Sequence, residues 1–326
     1  MMSINHRPKP LKLSSLAAAL FALTAKTRLC LLFIILSLVV PSAVFASPNA
    51  TAKRIATGTV AGDEIVWELL QELKAPERLI AVSSLWGHPS YSRFTEETLP
   101  PSVKARVGDS IEALLKLQPD LVILASYNRP EFVRQIEQSK IKVLLQQRFR
   151  SIEDVLQNIL EIGRAIGADK HAKAMVKSLR QRLQELQKQT LRSKSGEKLR
   201  YLNYSQFGNF YGKDSTFDSM ITALDGINIS AEIGLKGWSR MNDELLVTLK
   251  PDIIVISDEN REQQIEAMLA SSWRHLPAAQ EKRFVFISEK NLQSVSQHMV
   301  DAVEELHAAL AKLTFVQVKP SNSSAK

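Results

Sequence analysis

One cysteine in 326 residues, Cys30, leaves no disulfide framework, no cysteine-based zinc site and no iron–sulfur centre, because each needs several sulfur ligands. Catalytic and nucleotide signatures are missing too. The chain has no G-x-S-x-G elbow, no G-x-G-x-x-G and no G-x-x-x-x-G-K-(S/T). Its nearest phosphate-loop candidate, Gly208 to Asp214, has the wrong spacing and ends in Asp. No His-rich loop exists to hold a bare zinc or manganese ion, and of the histidines beyond residue 46, His171 and His307 fall on expected helices. Aromatic residues make up only 6% of the chain, so where they gather carries weight. A hydrophobic content of 45% excludes a disordered chain, and the length suits two domains or one large one.

Acidic residues are absent from the first 46 positions, which hold Arg7, Lys9, Lys12, Lys26 and Arg28. An apolar run, LCLLFIILSLVV from 29 to 40, follows, then Pro41 and the small-residue end Val44-Phe45-Ala46. This is the layout of a secretory signal peptide, with cleavage after Ala46 and a Gram-negative periplasm as destination. Cys30 sits at the start of the apolar core, where a lipid anchor is not expected. Without this leader 37 basic residues face 34 acidic ones, a net charge of +3 in place of +8. Export and a nearly balanced charge speak against nucleic acid as a partner.

Beyond the leader, apolar runs alternate with helix-period stretches. Strands are expected near Ile55 and at 78–84, 120–126, 142–147, 199–205, 252–258 and 283–289. Their unbroken Val/Ile/Leu character fits parallel strands buried on both faces. Between the two strand-rich parts, Met175, Val176, Leu179, Leu183 and Leu186 mark one face of a long helix from about Asp169, its N-cap, to Arg192. The expected architecture is α/β: two Rossmann-like lobes with parallel sheets joined by a long rigid backbone helix. The divisions are a leader at 1–46, lobes at 54–166 and 197–315, the helix at 167–194 and a disordered tail at 316–326. An internal echo supports two similar halves: SIEALLKLQPDLVIL from Ser110 and NDELLVTLKPDIIVI from Asn242 align without gaps, matching Glu112 with Glu244 and Asp120 with Asp252.

These paired units, the long helix, GTVAGDEIVWELL from Gly58, YGKDSTFDSMITALDGINISAE from Tyr211 and GWSRMNDELL from Gly237 resemble the class III periplasmic solute-binding proteins. The resemblance spans about Arg54 to Leu313. It implies a non-enzymatic, monomeric component of an ATP-binding-cassette importer, without a resident cofactor, that captures a ferric siderophore, haem or cobalamin for an inner-membrane permease. It also implies that Glu112 and Glu244 dock onto that permease. Where the family usually has two glycines before an Asn, this chain has Asp225-Gly226-Ile227-Asn228.

In parallel α/β lobes ligands bind beyond the carboxyl ends of the strands. The loops there nominate Trp86, His88, Tyr91 and Arg93, then Tyr127, Asn128, Arg129 and Arg150 in the first half. Phe207, Tyr211, Trp238, Arg240 and Arg261 follow in the second. Rings supply broad rigid contact and arginines supply forked donors for anions, which leans towards an anionic iron chelate. His88 or Tyr91 is a candidate axial ligand to haem iron. A bare-metal binder and a non-transport periplasmic interaction protein are the competing readings.

Overall fold

The computed structural model describes residues 51–108, 110–205 and 208–313 and the backbone of 316–317; the expected leader lies outside them. The described residues from Thr51 onward form one compact unit. Its first part runs β1 (Ile55–Thr57), α1 (Val60–Glu72), β2 (Leu79–Ser83), β3 (Ala105–Val107), α2 (Ile111–Lys116), β4 (Leu121–Ala125), α3 (Pro130–Gln138) and β5 (Lys142–Gln146). These strands form a five-stranded parallel sheet in the order β3-β2-β1-β4-β5. Along β4, Leu121 and Ile123 enter one apolar cluster, while Val122 and Leu124 enter a second with Phe132 and Ile136 of α3. Burial on both faces is why the strand reads as a continuous apolar run.

Next come α4 (Ile152–Ile166) and α5 (Asp169–Gln187). Ser151 caps α4 by accepting from the Asp154 amide at 3.1 Å, and Gly167 ends it in the left-handed region at φ 75°. A Cβ on Gly163 would stand 2.3 Å from that of Ala172, so glycine lets α4 and α5 meet at their shared corner. The backbone helix is shorter than expected: it has 19 residues, about 28 Å at about 1.5 Å each. It stops at Gln187 because Leu191–Arg192 (β6) leaves to pair antiparallel with Val316–Gln317, two residues placed above in the disordered tail. Asp169 is not the N-cap either. Ala168 holds that position, and Asp169 instead pairs with Lys173 at 2.6 Å.

The second part holds β7 (Arg200–Asn203), β8 (Asn209–Tyr211), α6 (Thr216–Ala223), β9 (Ile227–Asn228), α7 (Ile229–Glu232), β10 (Trp238–Arg240) and α8 (Asp243–Leu246). It continues with β11 (Ile253–Ser257), α9 (Arg261–Ala270), α10 (Pro277–Gln280), β12 (Phe284–Ile287), α11 (Glu289–Leu292) and α12 (Met299–Leu310), then β13 (Val316–Gln317). A four-stranded parallel sheet has the order β12-β11-β7-β9, and β8 and β10 form a separate antiparallel ribbon.

The sequence echo has a three-dimensional counterpart. Asp120 accepts from the Arg54 amide at 3.1 Å at the entry to β1, and Asp252 accepts from the Arg200 amide at 2.9 Å at the entry to β7. In each lobe an Asp that follows a Pro thus ties down the start of the neighbouring strand. The lobes also share one core: Leu121 and Ile123 of the first sheet, Ile253 and Val255 of the second, and Leu69, Ile159, Leu179 and Val303 of α1, α4, α5 and α12 belong to a single cluster. The backbone helix is therefore one member of a common helical layer, lying along α4 and against α12. Spreading the lobes would tear this layer, which favours small relative motion.

Candidate functional site

The site is built from the turn at the carboxyl end of β1. Gly58 allows close packing there, since a Cβ would fall 2.5 Å from Cδ2 of the buried Leu124 and force that side chain to shift. Thr59 caps α1 by accepting from the Gly62 amide at 3.1 Å, leaving the Val60 and Ala61 amides, which no earlier helical carbonyl can take, at the positive end of the helix. One turn in, Asp63 is buried and accepts from the Thr57 hydroxyl, from the Ser83 amide at 3.0 Å and from the Ser83 hydroxyl at 2.5 Å. Burial pushes its carboxyl up to about 7 against the pull of those bonds, with the neighbouring Glu64 adding to the rise. Asp63 thereby ties the ends of β1 and β2 to α1, fixing the loop that follows Ser83.

Above this floor lies a chamber of about 790 Å³. Gly58 to Ala61, Ser83 to Leu85 and Gly108 form its base, with Tyr127, Asn128, Arg129 and Phe132 along one wall. Tyr91, Trp238 and Gln293 to Val295 close the opposite side. Asn128 braces its wall by donating to Gly58 O at 3.0 Å and accepting from the Ala125 amide at 2.7 Å. Tyr127 is open to the chamber over 57% of its surface, and the walls desolvate its phenol enough to push it up to about 12. The side chain thus stays a neutral donor throughout the physiological range.

Tyr91, Trp238 and Gln293 also border a second chamber of about 360 Å³ in the other lobe, reached by Tyr204, Asn209, Tyr211, Glu259, Gln264 and Glu289. Trp238 is 68% exposed and stacks on Tyr211 with centroids 5.9 Å apart, the two residues facing each other across the β8–β10 ribbon. Asn203 and Asn228 clamp Tyr211: one accepts from its amide at 3.0 Å, the other donates to its carbonyl at 2.8 Å. The result is a flat aromatic shelf held by backbone contacts at the junction of the chambers.

Behind the chambers a polar seam joins the lobes. Ser296 donates to the buried Glu64, Gln297 donates to Glu68 at 2.8 Å, and Arg93 bonds Asn291 and lies 3.2 Å from Asp301. Arg182 of α5 reaches Asp301 at 2.6 Å and grips Glu304 through two nitrogens. Burial raises Glu64 in proton affinity, opposed by the His298 charge and the Ser296 bond. Burial works the same way on Asp301, yet bonds from His298 and Arg182 hold it down to about 2.

The family profile described as periplasmic binding protein matches residues 60–290. The chain belongs to this family. It is a class III substrate-binding protein of ABC importers, a family of non-enzymatic solute binders. It is 29% identical over 232 residues to the Bacillus subtilis ABC transporter substrate-binding lipoprotein YvrC, covering 68% of this chain and 73% of that one. Over 166 residues it is 25% identical to a cobalamin-binding protein of Halobacterium salinarum, covering 50% of this chain and 45% of the relative. The fold is shared with the Vibrio cholerae periplasmic haem-binding protein HutB, at 20% identity and a TM-score of 0.64, over 79% of this chain and 98% of that one.

In this periplasmic binding protein, the nominated residues separate into two groups. Tyr91, Tyr127, Asn128, Arg129 and Trp238 line the main chamber and Tyr211 the second. Trp86, His88, Arg93, Arg150, Arg240 and Arg261 are not among the residues that line either chamber. Trp86 is buried under its loop, stacked on Phe94 at 4.0 Å and donating to Thr95 O, because the first lobe has an aromatic pocket to receive it. His88 turns its ring to Tyr91 and its Nδ1 accepts from the Ser90 amide. Arg93 is spent in the seam, Arg261 lies 4.0 Å from the Phe286 ring centroid, and Arg150 and Arg240 are exposed. Phe207 lies outside the described residues. Only Arg129 among the arginines reaches a chamber lining, so the expected cationic cleft is not present among the described residues. Glu112 and Glu244 are both exposed in the first turn of a helix, behind the N-caps Ser110 and Asn242.

Sequence reasoning missed the Gly58–Ala61 turn, Glu64 and the Gln293–Val295 segment. The first had a signal, since it follows a parallel strand as the other loops do. The last follows a short helix rather than a strand and carried none. No group of three or more His, Cys, Asp or Glu among the described residues could hold a metal ion, and no helix among them is long and apolar enough to cross a membrane.

Proposed function

We propose that the protein captures a corrinoid of the cobalamin type in the paired chambers and presents it to an inner-membrane ABC permease. The observation that carries this reading is the cleft's lining: among the described residues, a broad aromatic and apolar chamber with one cation, Arg129, adjoins an amide-rich chamber with none. Haem and most ferric siderophores bring carboxylates or other anionic oxygens that call for several cations. A corrinoid presents a flat macrocycle fringed with neutral carboxamides, which suits the Trp238–Tyr211 shelf and the surrounding amides. The name of the Halobacterium relative supports the same reading.

Haem is the second reading, favoured by one feature: Tyr91, whose phenol is of a kind that can ligate iron, borders both chambers. Glu112 and Glu244 serve as the docking carboxylates, one per lobe, held by helix caps at exposed positions. The leader exports the chain to a Gram-negative periplasm, where it works as a monomer. A thermal-shift screen with cyanocobalamin, haem, ferric hydroxamates and ferric catecholates tests the ligand, because binding at 100 times Kd raises stability by about 2.7 kcal/mol. A shift with cyanocobalamin alone supports the proposal. A shift with haem alone, lost in Tyr91→Phe, replaces it with the second reading, and no shift with any chelate favours a non-transport role.

A further inference from the structure

The second chamber differs from the first in the kind of polar atom it offers. Gln264 spends its amide hydrogens on Ser257 O at 3.1 Å and on Glu259 O, so its side-chain oxygen is the end left over. Gln293 does the same, donating to the Tyr211 hydroxyl at 3.1 Å and to Glu289 at 3.0 Å. Both amides are therefore oriented as acceptors by bonds within the protein. The Glu259 carboxylate adds a third acceptor, with no side-chain ion pair among the described residues. Among the described residues no Lys, Arg or His lines the chamber; the nearest arginine in sequence, Arg261, is stacked on Phe286. Its volume of about 360 Å³ suits a ligand's appendage rather than the whole of a macrocycle.

We propose that this chamber is a distinct subsite, bounded by Tyr91, Trp238 and Gln293, that recognises a neutral N–H donor group on the ligand, a primary carboxamide, and rejects a carboxylate in its place. The inference rests on the corrinoid reading above and deepens it. The macrocycle occupies the larger chamber against the Trp238 ring, and one peripheral carboxamide reaches past Trp238 to the acceptors Gln264, Gln293 and Glu259. A carboxylate there would face the Gln264 and Gln293 side-chain oxygens and the like charge of Glu259, so the subsite discriminates by repulsion as well as by attraction.

The test compares cyanocobalamin with its monocarboxylic acids, in each of which one peripheral propionamide is replaced by a carboxylate, by calorimetric titration of the full-length mature protein. In the wild type at least one monoacid binds about 10-fold or more weakly than the parent, the cost of an unpaired buried polar group. Glu259→Lys narrows or inverts that preference, while Glu259→Gln, the neutral isostere, narrows it less and guards against a variant that fails to fold. If every monoacid binds as the parent does, or if the preference is unmoved in both variants, the subsite is wrong although the ligand assignment stands. If cyanocobalamin itself does not bind, the ligand assignment falls and the subsite with it.

Discussion

Replacing Asp63 by Asn should stabilise the protein at neutral and mildly alkaline pH. Asp63 is buried, and its carboxyl is raised from 3.8 to about 7 because burial outweighs three hydrogen bonds. The folded state therefore holds a proton over a range in which the unfolded chain has lost it. Stability contributed by this group is complete below about 4, is lost as pH rises towards 7 and stays lost above it. At about 1.4 kcal/mol per tenfold change in proton affinity, the rise amounts to at most about 4 kcal/mol. An Asn side chain is neutral at every pH and close in shape to the protonated acid. Its oxygen can still accept from the Ser83 amide, and its new hydrogens can donate to the Thr57 or Ser83 oxygens, since Thr57 has Ala81 O as a second acceptor at 3.4 Å. Urea unfolding followed from pH 4 to 8 should show wild-type stability declining over that interval and a shallower decline in Asp63→Asn, the variant being about 1–3 kcal/mol the more stable at pH 8. The residual slope belongs to Glu64, which burial also raises. Equal destabilisation of the variant at every pH, or a wild type that gains stability from pH 4 to 7, would refute the argument.

Trp238→Ala should weaken ligand binding by about 10-fold or more with the melting temperature nearly unchanged, because the ring is mostly exposed and works by stacking; titration and thermal melts together check this. Charge reversal at Glu112 and Glu244 should abolish uptake in cells with no effect on ligand affinity, and unimpaired uptake in the double variant would end the docking assignment. Arg182→Ala should cost about 1 kcal/mol, read as a Tm lower by a few degrees, since it leaves Asp301 and Glu304 facing each other on α12 while solvent screens part of the loss. Because Asp301 is held down to about 2, its contribution is present above about 4 and fades as pH falls below that, so the Arg182 variant should show a weaker acid limb in urea unfolding.

Much of the fold was legible because the physics acted locally. The runs around Leu121 and Ile253 are apolar throughout since each strand is buried on both faces, and the Ser110 and Asn242 caps announce the short helices that precede them. The β8–β10 ribbon was not legible: its three-residue strands are partly exposed, and β8 is held by Asn203 and Asn228, which come from other strands. The site divided along the same line. Tyr127 to Arg129 follow β4 directly, so position alone brought them to the chamber. Arg93 and Trp86 sit in a loop of the same kind, but tertiary partners claim them: Asp301, 208 residues away in sequence, takes the first, and an aromatic pocket with Phe94 takes the second. Nothing in the local sequence distinguishes an arginine that meets ligand from one that closes a seam.

Corrinoid capture on the Trp238–Tyr211 shelf is tested by one titration: tryptophan fluorescence of the mature protein against cyanocobalamin, with haem as competitor. Saturable quenching at one equivalent is expected, greatly reduced in Trp238→Ala and not displaced by stoichiometric haem. Quenching by haem alone, or none that depends on Trp238, would contradict such capture.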